Sequence, residues 1–196
     1  SVARNVKNVV AISTDKAVKP VSAMGMTKAL QEKIILSDDL TKDKTKFCCV
    51  RYGNVLGSRG SVIPLWNSKI EQNEPLPVTH PDMTRFLLTL SQAIDLVFYS
   101  LKHGKGGEIF VKKAPSATMV NLAKAYAELK TGKKDYPLKY VGIRAGEKID
   151  EVLVSHEEMR RAHEKKDHFV IERESNFDVT SLKKSLKTIE YDSGSV

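Results

Sequence analysis

Ser13-Thr14-Asp15-Lys16-Ala17-Val18-Lys19-Pro20-Val21-Ser22-Ala23-Met24-Gly25-Met26-Thr27-Lys28 follows directly on the β-branched run Val9-Val10-Ala11-Ile12, and this junction decides how the chain is built. An apolar strand ends in hydroxyls and an acid–base pair, Asp15 and Lys16. A turn containing Pro20 follows, then a helix that carries Met24 and Lys28. In open α/β sheets ligands bind beyond the carboxyl ends of the strands, where these polar groups fall. The i, i+4 spacing places Met24 and Lys28 on one helix face, directed to the same cleft.

Outward from this junction the chain alternates strand and helix. Strands are predicted at 8–14, 46–53, 76–79, 84–88, 108–112, 138–142 and 168–172. Helices are predicted at 22–37, 61–73, 91–103, 118–130 and 156–165, the fourth ending at Gly132 as a left-handed terminator and the last heavily charged. The alternation predicts an α/β fold with a parallel sheet and crossover helices. The loop Gly53-Asn54-Val55-Leu56-Gly57-Ser58-Arg59-Gly60 looks superficially like a dinucleotide-binding turn, but the acidic residue expected about 20 residues on is missing.

With 196 residues, one or two domains with a real core are expected. Hydrophobic residues at 41% and charged residues at 29% are ordinary for a globular protein. A net charge of +8 and a pI of 9.4 suit an anionic partner. The basic residues are spread along the chain without a basic arm, so no nucleic-acid binding is expected. Cys48 and Cys49 read as small buried residues on opposite faces of a strand, not as a disulfide framework. No signal peptide and no membrane insertion are expected, and the localisation predicted is cytoplasmic. His156 and His163 are too far apart on a helix to share a metal ion, and no metal site is predicted.

Segments 13–20, 24–28, 51–64, 79–86 (Thr79-His80-Pro81-Asp82-Met83-Thr84-Arg85-Phe86), 106–111 and 144–148 (Arg144-Ala145-Gly146-Glu147-Lys148) together resemble one family. It is the inverting UDP-N-acetylglucosamine 4,6-dehydratases of polysaccharide and capsule biosynthesis, which are extended short-chain dehydrogenase/reductases. The resemblance runs in order along nearly the whole chain. It implies residues 1–75 as the carboxyl half of an NADP-binding Rossmann domain with the catalytic segment, and 76–196 as a smaller α/β UDP-sugar-binding domain truncated at its carboxyl end. By the same comparison the βαβ unit with its Thr-Gly-x-x-Gly-x-x-Gly loop is expected to be missing, as is a final helix.

The resemblance also implies the site. Lys16 is then the base at the sugar C5 and Asp15 the acid that assists loss of the C6 hydroxyl. Each task needs a displaced pKa. Met24 stands where many short-chain dehydrogenases carry the catalytic tyrosine. A thioether exchanges no proton, so Lys28 or Thr14 must assist at the C4 hydroxyl, and Met24 is expected to serve as packing. Lys28, Ser13 and Tyr52 fall on the cofactor side, with NADP as cofactor. Asn54, Arg59, Ser61, Arg85, Arg144 and Glu147 fall on the substrate side, the arginines and the 61–73 helix start facing the diphosphate and Glu147 the uridine ribose. A homo-oligomer is implied by analogy. A UDP-sugar 4-epimerase and a non-catalytic UDP-sugar-binding module stay open as alternatives, although epimerisation needs no base at C5.

Overall fold

The structure is a computed structural model that describes residues 1–37, 44–173 and 189–196. In chain order β1 (Asn8–Ile12) leads through a 3-10 turn (Asp15–Ala17) to α1 (Ala23–Ile35), β2 (Lys46–Arg51) and β3 (Asn54–Val55). Then come α2 (Val62–Glu71), β4 (Leu76–Val78), β5 (Thr84–Leu88), α3 (Leu90–His103), β6 (Ile109–Lys112) and β7 (Ser116–Thr118). The chain continues through α4 (Met119–Thr131), β8 (Leu138–Tyr140), β9 (Val152–Val154), α5 (His156–Met159), β10 (Ala162–Glu164), β11 (His168–Ile171) and β12 (Tyr191–Asp192).

The main sheet has the order β1-β2-β6-β11-β10. β1, β2 and β6 run parallel, and β11 and β10 close that side as an antiparallel hairpin. Period-two alternation sorts its faces. Cys48, Val50 and Phe110 turn toward Leu96 of α3, whereas Cys49, Ile109 and Val111 join the cluster that takes in Ile35 and Leu36 at the end of α1. Both thiols are free and buried, on opposite faces as expected. This sheet draws strands from both sides of residue 75.

A second core lies under α2 and α4, where Trp66, Leu76, Val78, Ala123, Ala127 and Tyr136 pack together. Two alanines one turn apart on α4 leave room for the fully buried Trp66, whose Nε1 donates to the Pro77 carbonyl at 2.9 Å. Burying one such large side chain stabilises by about 1.5–3 kcal/mol. β3-β5-β7 form a small mixed sheet beside it, and β4 pairs parallel with β8.

Helix ends follow local chemistry. Thr89 and Gln92 form a capping box on α3, and Gly132 ends α4 at φ 71°, as predicted. The charged helix expected over 156–165 is corrected: α5 is a single turn, and residues 162–164 are a strand. Lys165 N–H donates to the His168 carbonyl at 2.8 Å, so the Lys-Lys-Asp run is a hairpin turn whose strands pair through the backbone, which outweighs helical charge spacing. The short strands β3, β7, β9 and β12 carry no periodicity that a sequence reading could use. Among the described residues no helix is long and apolar enough to cross a membrane. Apolar side chains one turn apart stand exposed on α1 (Met26, Leu30, Ile34) and on α3 (Leu90, Ile94, Phe98).

Candidate active site

The ladder of β1 and β2 continues past both strands: Ser13 N–H donates to the Val50 carbonyl at 2.7 Å and Asp15 N–H to that of Tyr52 at 3.3 Å. That extension carries the acid–base pair inward, and Asp15 is fully buried. Its Oδ1 accepts from Thr14 Oγ1 at 2.7 Å and from Lys16 Nζ at 3.0 Å, while Oδ2 has no partner. Lys16 is about one-third exposed, so its ammonium reaches the rim while its neighbour stays inside. Gly25 makes this packing possible, because a Cβ there would lie 2.4 Å from the Lys16 carbonyl oxygen. Ser22 caps α1 by accepting from Gly25 N–H at 3.1 Å.

Lys28 Nζ donates to the Ile12 carbonyl at 2.9 Å and to Gln31 Oε1 at 3.0 Å, which fixes the ammonium at the tip of β1. Ser13 Oγ is buried beside it without a partner. Tyr52 is half-buried, and burial pushes its phenol up. Met24 does not pack in a core, contrary to expectation: it is 48% exposed. The inward position on this turn belongs to Gly25, which seats the helix on the Lys16 turn and leaves Met24 on the open side.

The remaining site residues line a separate cavity of about 260 Å³ between β3, the start of α2, β5 and the 144–147 loop. Asn54, Ser61, Arg85, Arg144 and Glu147 are all in its wall. Asn54 Oδ1 and Ser61 Oγ are buried there without partners, and Ser61 is the N-cap of α2 without a side-chain cap bond. Both are therefore available to a ligand, with the free N–H groups of the helix start behind them. Gly57 and Gly60 turn the chain at φ 73° and 74° to set Ser61 in place. Arg59 lies outside the wall, exposed on the loop. Arg85 is buried and donates to the carbonyls of Thr84 (2.6 Å), Ile149 (2.9 Å) and Lys148 (2.9 Å), so it holds backbone as well as facing the cavity. Glu147 Oε2 accepts from Arg144 N–H at 3.1 Å.

Two residues given no site role in the sequence reading join these groups. Lys148 Nζ donates to the Val18 carbonyl at 2.7 Å, and Glu151 sits within ion-pair range of both Lys148 and Lys16. Their sequence spacing gives no local signal, because Arg85 and Ser193 bring the 148–151 segment to the turn from distant parts of the chain. Among the described residues no group of three or more His, Cys, Asp or Glu is placed to hold a metal ion.

A parallel sheet with a polar turn at its tip and a cavity alongside defines an α/β protein with a Rossmann-like sheet. Residues 1–173 match the family model described as polysaccharide biosynthesis protein, and the chain belongs to that family. It is 48% identical over 161 residues to a UDP-glucose 4-epimerase of Rickettsia bellii, covering 81% of this chain and 47% of that relative. With a UDP-glucose 4-epimerase of Rickettsia rickettsii it shares 45% over 168 residues, or 85% of this chain and 49% of the other. The chain thus spans about half the length of these curated relatives. Among solved structures, Pen from Bacillus thuringiensis superposes with a TM-score of 0.86 at 37% identity, over 98% of this chain and 59% of that one. The dTDP-glucose 4,6-dehydratase DesIV from Streptomyces venezuelae, with NAD and TYD bound, shares the fold at TM-score 0.67 and 18% identity, over 76% and 51% of the two chains.

Proposed function

We propose that the protein takes part in the NADP-dependent dehydration of UDP-N-acetylglucosamine to a 4-keto-6-deoxy UDP-sugar with inversion at C5, supplying polysaccharide precursors. The observation that carries this reading is the Asp15–Lys16 pair at the sheet tip, with one carboxylate oxygen of Asp15 buried and unpartnered. Lys16 takes the C5 proton from the bound sugar. Asp15 hands a proton to the departing C6 hydroxyl, and Thr14 orients its carboxylate. The residues present fit the nicotinamide end of the cofactor: the orphaned Ser13 hydroxyl, the Lys28 ammonium and Tyr52 would hold it at the β1 tip. When bound, that cofactor supplies oxidation at the sugar C4 and later reduction at C6.

The cavity receives the UDP portion. Arg144, Ser61 and the α2 amides face the diphosphate, and Asn54 and Glu147 offer hydrogen bonds to the remaining polar edges. At about 260 Å³ it lies near the small end of ligand sites and takes part of a nucleotide-sugar. A second reading, UDP-sugar 4-epimerisation, is favoured by the activity named for the rickettsial relatives. Self-association belongs to the proposal as well, the exposed apolar stripes on α1 and α3 being its support; light scattering checks it.

Calorimetric titration of the chain with UDP-N-acetylglucosamine, and with NADPH in parallel, is the first test. Saturable binding of the UDP-sugar is expected; a folded chain that binds neither ligand overturns the assignment. Incubation with UDP-N-acetylglucosamine and NADP in D2O then separates the two activities by NMR. Dehydration places solvent deuterium at C5 and removes the C6 hydroxyl, whereas 4-epimerisation does neither.

A further inference from the structure

Lys16 has a second carboxylate beside it. Glu151 lies just before β9 and is only 3% exposed. Its backbone is gripped from the chain's end: its N–H donates to Ser193 Oγ at 2.9 Å and its carbonyl accepts from Ser193 N–H at 2.9 Å. The side chain then lies with Oε1 3.7 Å from Lys16 Nζ and Oε2 3.5 Å from Lys148 Nζ, and Oε2 makes no hydrogen bond. On its other side Lys16 Nζ meets Asp15 Oδ1 at 3.0 Å. Two buried carboxylates from distant parts of the chain therefore share one partly exposed ammonium.

We propose that Glu151 is a positioning residue for Lys16, holding its ammonium between the strand-tip turn and the 148–151 segment. The inference rests on the reading of Lys16 as the C5 base. A lysine side chain has a flexible four-carbon stem and chooses no direction by itself. Asp15 is its neighbour in sequence and anchors it only to its own turn. Glu151 anchors it to a different segment, the one that Arg85 fixes through the Lys148 and Ile149 carbonyls and that carries the Arg144–Glu147 loop of the cavity wall. The base and the nucleotide cavity are thereby held in one frame.

The groups facing Glu151 set its charge. Burial, then the Asp15 carboxylate, push the Glu151 carboxyl up, while Lys16, Arg85 and Lys148 draw it down. Glu151 is therefore harder to ionise than an open glutamate, and Lys16 and Lys148 are the cations that face it.

Competitive acetylation of the chain with acetic anhydride at about pH 8, read peptide by peptide by mass spectrometry, measures this without any turnover. In Glu151→Gln the labelling rate of Lys16 rises several-fold, because one of the two carboxylates that hold its ammonium is gone. Lys69, which pairs with Glu74 instead, keeps its rate. Glu151→Asp, which withdraws the carboxylate by one methylene, raises the Lys16 rate less, and it carries the test if Glu151→Gln does not fold. An unchanged Lys16 labelling rate in a variant with the wild-type circular dichroism spectrum overturns the inference. UDP-N-acetylglucosamine titration of the wild-type chain tests the functional reading separately, since failure to bind leaves the labelling result standing.

Discussion

Replacing Arg51 by Met should remove a large share of the protein's stability. Arg51 is the last residue of β2, 1% exposed, and all five of its donor hydrogens are used. Nε and NH2 donate to Glu32 of α1 at 3.1 and 2.6 Å; NH2 and NH1 donate to Glu158 at 2.9 and 3.0 Å; NH1 also donates to the Leu153 carbonyl at 2.8 Å. The substitution leaves two buried carboxylates without their cation, which costs about 3–5 kcal/mol. With a urea m-value of about 2 kcal/mol per M, the unfolding midpoint falls by about 2 M. The loss depends on pH in a determined direction. Burial raises the Glu158 carboxyl, but the Arg51 charge and hydrogen bonds outweigh it and hold Glu158 below the usual range. The stability that Glu158 contributes is therefore present above about pH 4.5 and disappears as pH falls through its lowered folded value. In the Met variant Glu158 is no longer held low by Arg51, so the gap to wild type narrows on acidification. Urea unfolding followed by circular dichroism at pH 7 and pH 4 measures both effects. A loss below about 1 kcal/mol at pH 7, or one equal at the two pH values, refutes the account of Arg51 as the charge that compensates this cluster.

Three further outcomes are expected. Gly25→Ala puts a Cβ 2.4 Å from the Lys16 carbonyl, so it should destabilise by about 1–3 kcal/mol, seen as a lowered thermal midpoint. The Cys48 and Cys49 thiols, pushed up by burial to about 11 and about 12, should stay unreactive toward a thiol-exchange reagent at pH 8 until urea unfolds the chain; fast reaction under native conditions would contradict their burial. Lys16→Ala should abolish the dehydration proposed above while leaving calorimetric UDP-sugar binding within a few-fold of wild type, and undiminished turnover would remove Lys16 from the base role.

The strands and helices that pack by periodicity were legible in the sequence. Alternation in the strand predicted over 46–53 sorted Cys48 from Cys49, and the apolar spacing of Val62, Leu65, Trp66 and Ile70 marked α2, although Leu65 is exposed. The polar ends were legible too, because Asp15 and Lys16 adjoin a β-branched strand. What stayed hidden was held by long-range partners. Arg51 ends an apolar run that implies burial, and a buried arginine implies buried acids, yet nothing local says that Glu32 and Glu158 supply them. Glu151 is one charge among several in a polar stretch, and only Ser193 and Arg85 reveal why it is inside. The charged stretch after His156 misled because a hairpin and a solvated helix can share a composition, and pairing with β11 chose the hairpin.

The cavity lies along a seam. Val55 belongs to the cluster built on the main sheet, whereas Val62, Ile63, Met119 and Leu122 belong to the cluster around Trp66, and all five face the same space. The cavity's width can therefore change without opening either interior, and a ligand that spans it acts as mortar between two separately packed blocks. Ligand binding would then show as a raised thermal midpoint, because one bound molecule touches both blocks.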